Sequence, residues 1–342
     1  MPRIPAAGCA LAALVSLAPA ALAQQSPEQF YKSKSIEMFI GYPPGGSNDV
    51  YARVLAQHMG KHVPGSPNFV VHNMPGAGSF LAANQVFAVS PKDGTVICIG
   101  APTLAIDEKL GTQGVRYKTS QFNWIGRINS LVNIVMTWKT SPVKTIADAQ
   151  KMSATLAGTG AGSTVSIYPT VLNNVIGTRY KLVMGYRGSN EAMLAMERGE
   201  TEGHSTSWEA VKTAHPEWIR DKSISISVQF SLARHPELPD VPTAVELGRT
   251  PEEKRVLEAV MAASEVGTAF FTTPGAPPER VEALRRAFDK TMEDPAFKAD
   301  LEKVRVGIGP MKGEDLQKLV AQVADLPADL TEKLKLIYND KQ

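Results

Sequence analysis

Cysteine is nearly absent: the 342 residues contain only Cys9 and Cys98. Cys9 sits in an N-terminal apolar stretch expected to be removed, so the mature chain keeps one thiol and cannot form an internal disulfide. An excess of charge of one sign is lacking as well. There are 36 basic and 34 acidic residues, a formal net charge of +2, and no basic run or arginine stripe, which argues against a nucleic-acid partner. Aromatics make up 7% of the chain, too few for a base-stacking platform. Beyond the first two dozen residues no apolar run is long enough to span a bilayer, so no membrane span is expected in the mature chain.

What is present begins with "CALAALVSLAPAALA", an apolar run after Arg3 that ends in the small-x-small site Ala21-Leu22-Ala23. This is the pattern of a secretory signal peptide, residues 1–23, cut after Ala23. The run is short, is broken by Pro19 and lacks a stop-transfer flank. "AAGC" looks like a lipobox but precedes the apolar run instead of following it. The mature product is expected to be exported and soluble. Export without disulfides suits a periplasmic domain stabilised by its core.

With 43% hydrophobic and 20% charged residues, the chain is long enough for two globular domains. From Ile36 onward short apolar runs alternate with amphipathic stretches. "IEMFIGY", "NFVVHN" and "TVICIGAP" read as strands. "SNDVYARVLAQHMGKH", with Val50, Val54 and Leu55 inward, and "GSFLAANQVFAV" read as helices. Continuous apolar strands in strand–helix–strand units indicate a parallel sheet covered on both faces. "WIGRINSLVNIVMTW" reads as two extended segments forming a crossover. A second alternating set follows: "ATLAGT", "STVSIYPTVLNNVIG", "YKLVMGY", "NEAMLAMERG" with Ala192, Leu194, Ala195 and Met196 toward the core, and "SISISVQF". "TAFFTTP" resembles a return strand, and the tail from Pro277 is helical, with proline where a first turn tolerates it. This order fits two α/β lobes, with a ligand cleft between them as the default site. Residues 24–132 and 266–342 would form the first lobe and 133–265 the second.

Four glycine-bearing loops follow strands and precede helices: "GYPPGGSND", "HNMPGAGSF", "GTGAGSTVS" and "GYRGSNEA". At the carboxyl ends of strands in an open α/β sheet, such loops gather ligands. Each helix start adds unpaired N–H donors and a partial positive charge. Ser47, Ser163 and Thr164 add hydroxyls or serve as N-caps. One such loop alone would be read as capping; four together favour an anion site. A dinucleotide fingerprint fails because Leu81 stands where the third glycine belongs, and no loop carries the Walker lysine. The loops hold Arg187 as their sole cation. Neutral donors around one or two charges suit a carboxylate better than a triphosphate. Asp49 is read as a brace that pins the glycine loop by accepting N–H bonds, in preference to a ligand contact.

Catalytic sets are missing. There is no G-x-S-x-G elbow. His58 and His62 are four apart but lack the H-E-x-x-H glutamate, and they are read as solvated helix-end residues with Gly60 ending the helix. His72 is assigned a surface or packing role. His204, at a strand end expected to face the cleft, has no acidic partner in view to make it a base. Cys98 is assigned to core packing, and the methionines of "EAMLAMERG" to a core stripe. No metal site and no cofactor are expected.

Taken together, "YKSKSIEMFIGYPPGGSNDVYARVLAQHM", "VVHNMPGAGSFLAAN", "PKDGTVICIG", "AGTGAGSTVSIYPTVL", "LVMGYRGSNEAMLAMERGE", "RHPELPDVPTAVELG" and "FTTPGAPPERVEALRRAFDKTMEDPAF" resemble the extracytoplasmic substrate-binding receptors of tripartite tricarboxylate transporters, also called Bug receptors. The resemblance spans nearly the whole mature chain. It implies a type II periplasmic binding protein: two α/β lobes joined by crossover strands, with a carboxylate held in the cleft between them. Carried across by motif, it points to Gly45, Gly46, Ser47, Gly76, Ala77, Gly78, Gly162, Ser163, Thr164, Tyr186 and Gly188 as ligand-binding residues, with Thr103 as a further candidate. Tyr42 replaces the phenylalanine of many relatives, so a hydroxyl is placed at the cleft. Arg187 stands where many have lysine. Where many carry an aspartate able to meet an amino group, this chain offers Ser205, Thr206, Ser207 and Trp208. Thr206 joins the candidates, and a plain carboxylic acid is favoured over an amino acid. The resemblance implies integral membrane transporter subunits as partners. A sensor presenting the same ligand to a signalling partner, or an exported enzyme using the cleft, are the alternatives. Whether Arg187, His204 or Trp208 touches the ligand stays open at this level.

Overall fold

The computed structural model describes residues 25–160 and 163–339. The expected signal peptide, with Cys9, and the candidate Gly162 lie outside the described residues. Among the described residues eleven strands form two sheets. They are β1 (Ser35–Ile40), β2 (Asn68–Asn73), β3 (Val96–Ile99), β4 (Asn123–Arg127), β5 (Asn133–Trp138), β6 (Ala154–Ala157), β7 (Tyr180–Val183), β8 (Gly203–Ser207), β9 (Ile224–Phe230), β10 (Ala269–Thr272) and β11 (Met311–Lys312). The first sheet has the order β11-β4-β10-β3-β1-β2 and the second β7-β6-β8-β5-β9. The chain therefore leaves the first sheet after β4, builds the second, and returns as β10. The two segments predicted in "WIGRINSLVNIVMTW" are β4 and β5, one in each sheet.

The sheets are mixed, which corrects the expectation of parallel ones. β1 is parallel to β2 and β3, but β10 is antiparallel to both β3 and β4. In the second sheet β6 is parallel to β7 and β8, whereas β5 runs against β8 and β9. The cause is the double crossing. A strand that enters from the other lobe arrives at the opposite end of the sheet, so it pairs antiparallel to the strands laid down by β-α-β units. The two crossings run side by side, with Ile128 N–H donating to Thr268 O at 3.0 Å and Thr268 N–H to Asn129 O at 2.9 Å.

Burial follows the sequence pattern. All four residues of β3 are buried, including Cys98, as a central strand covered on both faces requires. On one face of the first sheet Phe122, Trp124 and Phe271 form an aromatic group, with ring centroids of Phe122 and Phe271 4.3 Å apart. On the other lie the helices Ser47–Met59 and Pro278–Glu293. The first presents Tyr51, Ala52, Val54, Leu55 and Met59 to the core, while Val50 is only half-buried. The helix Ser189–Glu197 buries Ala192, Met193, Ala195 and Met196. Leu194, expected inside, is 41% exposed, because the i, i+1, i+3, i+4 set leaves it on the opposite face.

The histidine expectations need correction. His58 is buried, packs edge-on against Phe297 and meets Asp300 Oδ2 at 2.8 Å. His62 is half-buried and meets Asp294 Oδ2 at 3.1 Å. Neither is a freely solvated helix-end residue: the helix Pro295–Lys303, distant in sequence, packs over them, which local periodicity could not reveal. His72 is paired with Glu37 at the sheet surface. Among the described residues no group of three or more His, Cys, Asp or Glu is placed to hold a metal, and no helix is long and apolar enough to cross a membrane.

Candidate ligand-binding site

The glycine loops come together. The loops after β1, β2, β6 and β7 line one cavity of about 330 Å³ between the sheets, together with Ala101 and Pro102 after β3 and with Leu131, Asn133, Thr206, Ser207 and Ala210. Three helices of nine or more residues begin at its wall: Ser47–Met59, Thr164–Ile176 and Ser189–Glu197. Their first-turn N–H groups have no carbonyl partner within their own helices.

The first loop is shaped by Asp49. Gly45 has φ +82°, a left-handed turn, and its N–H donates to Asp49 Oδ2 at 2.8 Å. Arg53 Nε donates to the same oxygen at 2.9 Å, and Asn73 Nδ2 donates to Oδ1 at 2.7 Å and to Tyr42 O at 3.0 Å. Burial disfavours the charge of Asp49, yet these hydrogen bonds and Arg53 together hold its carboxyl below the usual carboxylate range. Both oxygens are committed to the loop.

The second loop carries four successive positive φ values, at Gly76 (134°), Ala77 (46°), Gly78 (64°) and Ser79 (74°). Two of these residues bear a Cβ, so the backbone is held in a sparsely populated region. Ser79 pays back part of that cost with its hydroxyl, which donates to Gly41 O at 2.9 Å. The approach is close: a Cβ on Gly41 would come within 2.6 Å of Ser79 Cβ. In the second lobe Thr159 and Ser163 hydroxyls are 2.7 Å apart, Ser163 Oγ donates to Gly160 O at 2.8 Å, and Thr206 Oγ1 donates to Ser189 Oγ at 3.1 Å.

The lobes touch across the cavity. Ser47 Oγ and Ser207 Oγ are 3.3 Å apart, and Asn190 Nδ2 donates to Gly45 O at 3.2 Å. Gly188 abuts Pro43 so tightly that a Cβ would come within 2.8 Å of the proline ring.

Of the residues proposed from sequence, Tyr42, Gly46, Ser47, Gly76, Ala77, Gly78, Ser163, Thr164, Tyr186, Gly188 and Thr206 line the cavity. Gly45 does not; its N–H is spent on Asp49. Thr103 is 1% exposed and lies behind the wall, where Ala101 and Pro102 face the cavity in its place. Arg187 lines the mouth, with its side chain 91% exposed and Nε 3.8 Å from Glu191. His204 and Trp208 do not reach the cavity. His204 is fully buried, its Nδ1 2.8 Å from Ala157 O, and burial lowers it to about 4, so it is neutral and donates to that carbonyl. Trp208 Nε1 donates to Glu237 at 2.6 Å. In β8 His204 stands two residues before Thr206 and shares its face, but its ring is buried with Nδ1 turned to Ala157 O of the neighbouring strand β6.

Sequence reasoning missed Ser79, Leu131, Asn133, Ser189 and Asn190. Ser79, Ser189 and Asn190 lie inside the quoted loops "HNMPGAGSF" and "GYRGSNEA" and were legible as their polar members. Leu131 and Asn133 belong to the crossover and carry no loop signal.

The electrostatics are unusual for an anion site. Arg187 is the one lining residue charged at neutral pH among those described. Tyr42 is pushed up by burial, partly offset by the Ser79 hydroxyl, and so stays a neutral donor. Burying a carboxylate costs several kcal/mol, and a hydrogen bond to a charged group returns about 1.5–3 kcal/mol. One loop with one or two N–H donors falls short; donors from both lobes suffice. No Asp, Glu, His, Cys or Lys lines the cavity, so the described walls hold no general base beside a nucleophile.

The sequence profile described as "Tripartite tricarboxylate transporter family receptor" matches residues 51–336. A Cupriavidus necator protein, "UPF0065 protein in gbd 5'region", is 26% identical over 339 residues, 95% of each chain. Among solved structures, the periplasmic binding protein BugD superposes with a TM-score of 0.70 at 23% identity, covering 91% of this chain and 99% of the other. Rpa4515 of R. palustris, solved with adipate, gives 0.68 at 22% identity, covering 90% and 97%. At these identities the superpositions establish a shared fold. Fold and profile agree, and the chain belongs to the tripartite tricarboxylate transporter receptor family.

Proposed function

We propose that the chain is a periplasmic solute-binding receptor that captures a small mono-, di- or tricarboxylic acid by lobe closure and delivers it, unaltered, to the membrane subunits of a tripartite tricarboxylate-type transporter. The observation that carries this reading is the convergence of three helix N-termini and the strained 76–79 loop on one cavity whose sole charged lining residue, among those described, is Arg187. Such a site replaces a carboxylate's hydration shell with fixed N–H donors. It offers no acidic partner to an ammonium group, since both oxygens of Asp49 are engaged elsewhere. The adipate in the Rpa4515 structure supports the ligand class. In this reading residues 24–132 and 266–342 move as one lobe and 133–265 as the other, hinged where the two crossings run side by side. Residues 1–23 direct export.

Thermal unfolding in the presence of mono-, di- and tricarboxylates tests it. A ligand at 100 times its Kd raises stability by about 2.7 kcal/mol, visible as a shift of several degrees. A panel that leaves the melt unmoved, with amino acids or phosphates shifting it instead, would overturn the proposal.

A further inference from the structure

Below the cavity the helix Trp208–Ala214 of the second lobe is seated against the first. Thr213 Oγ1 donates to Glu209 O at 2.7 Å and reaches Val304 O at 3.4 Å. Tyr51, from the helix Ser47–Met59, donates its hydroxyl to Gly307 O at 2.7 Å and accepts from Asn129 Nδ2 at 3.3 Å. Glu209 lies in this seam at 1% exposure, close enough to Tyr51 for its charge to act on the phenol. Its Oε2 is buried without a hydrogen-bond partner among the described residues. A carboxylate taken from water with one oxygen unsatisfied is costly, and the dipole of a helix's first turn offsets only a fraction of that cost.

We propose that Glu209 is a proton-operated latch on lobe closure: uncharged, it lets the helix seat against Tyr51 and the cleft shut; ionised, it demands water and favours the open arrangement. The inference rests on the lobe closure of the preceding reading and adds its regulation.

The charged groups nearest Glu209 are largely committed to one another: Lys212, on its own helix, is paired with Glu237 at 3.0 Å, and both act on Glu209. On the helix Ser47–Met59, Asp49 is paired with Arg53 and His58 with Asp300, so Tyr51 is the titratable group that faces it. In the 304–307 segment the one ionisable residue, Arg305, is exposed. Beyond the helix, Glu217 meets His215 and Arg220 meets Asp221. In β8, His204 is neutral. Burial pushes the Glu209 carboxyl up to about 7; its own backbone N–H and Lys212 lower it in part, and Glu237 adds to the rise. The sign follows. An open cleft returns Glu209 to an ordinary carboxylate value, so closing takes up a proton between that value and about 7. Closure is favoured at the acidic end of that window and weakened as pH rises through about 7.

Small-angle scattering of the ligand-free mature chain at pH 5.5 and pH 8, for wild type and Glu209→Gln, tests the latch. The expected result is a wild type that expands at pH 8, with its closed-to-open ratio falling about thirtyfold, and a Gln variant that stays compact at both. A wild-type profile identical at the two pH values, or a Gln variant that expands as the wild type does, overturns it. The wild-type comparison stands by itself if the variant does not fold. No ligand is added, so a failure to find a carboxylate sinks the receptor reading alone, and a pH-invariant profile beside an intact carboxylate shift sinks the latch alone.

Discussion

Ser47 and Ser207 face each other across the cleft with their hydroxyl oxygens 3.3 Å apart. Ser47 opens a helix of the first lobe, and Ser207 caps a helix of the second by accepting from Ala210 N–H at 3.2 Å. One hydrogen bond thus joins two helix starts that frame the same cavity. A buried hydrogen bond of this kind contributes about 0.5–1.5 kcal/mol. Ser47→Ala should weaken carboxylate affinity roughly three- to tenfold, read by calorimetry, with little change in the melting temperature of the ligand-free protein.

Asp49 should act through the loop and not on the ligand. Asp49→Ala leaves the Gly45 N–H without its partner and Asn73 Nδ2 with Tyr42 O alone, so both stability and affinity should fall, by about 1–3 kcal/mol in stability. Tighter binding by the variant would mean that the carboxylate opposes the ligand. The pH dependence has a definite sign. Because the folded state holds Asp49 below its ordinary value, its contribution is present above the unfolded value and is lost as pH falls through the lowered one. Urea midpoints of wild type and Asp49→Asn should differ at pH 7 and converge on acidification.

Neutral donors should matter more than the one cation. Thr164 occupies the first helical position after Ser163, whose φ of −88° and ψ of 149° suit a residue before proline. Proline is tolerated there and removes only the N–H and hydroxyl. Thr164→Pro should keep the fold and lose about tenfold in affinity, while Thr164→Val reports the hydroxyl alone. Arg187→Gln, at a side chain 91% exposed, should change affinity by less than about fivefold. The reverse ranking would make Arg187 the principal anchor.

Closure should be separable from folding. Gly188 has an extended φ of −174°, so any residue can adopt its backbone, but a side chain there meets Pro43. Gly188→Val should weaken binding about tenfold or more without lowering the melting temperature of the ligand-free chain, because the clash exists only when the lobes meet.

The sequence displayed the strands, the helix starts and the glycine loops, because each of these is a local pattern of apolar period and turn residues. Tyr42, Ser47, Ser163 and Thr164 were readable for that reason. What it hid was long-range. Nothing near His58 announced Asp300 and Phe297, which arrive from a helix more than two hundred residues away. Leu131 and Asn133 face the cavity only because two crossings lie side by side. Thr103 and Trp208 had suitable chemistry in suitable loops, yet one is turned behind Pro102 and the other is held by Glu237. Glu209 reads as an ordinary first-turn acid until the fold buries it with Oε2 unpartnered among the described residues. The antiparallel place of β10 follows from the double crossing, which composition cannot specify.

The central claim is that the cavity holds a small carboxylic acid and does not transform it. Mass spectrometry of the small molecules released on denaturing freshly purified protein tests this most directly. The account predicts a carboxylic acid, near one equivalent per chain, recovered unchanged after prolonged incubation with the protein and markedly depleted from Gly188→Val. A released ligand without a carboxylate, or a carboxylic acid converted to product during incubation with the wild type, would contradict it.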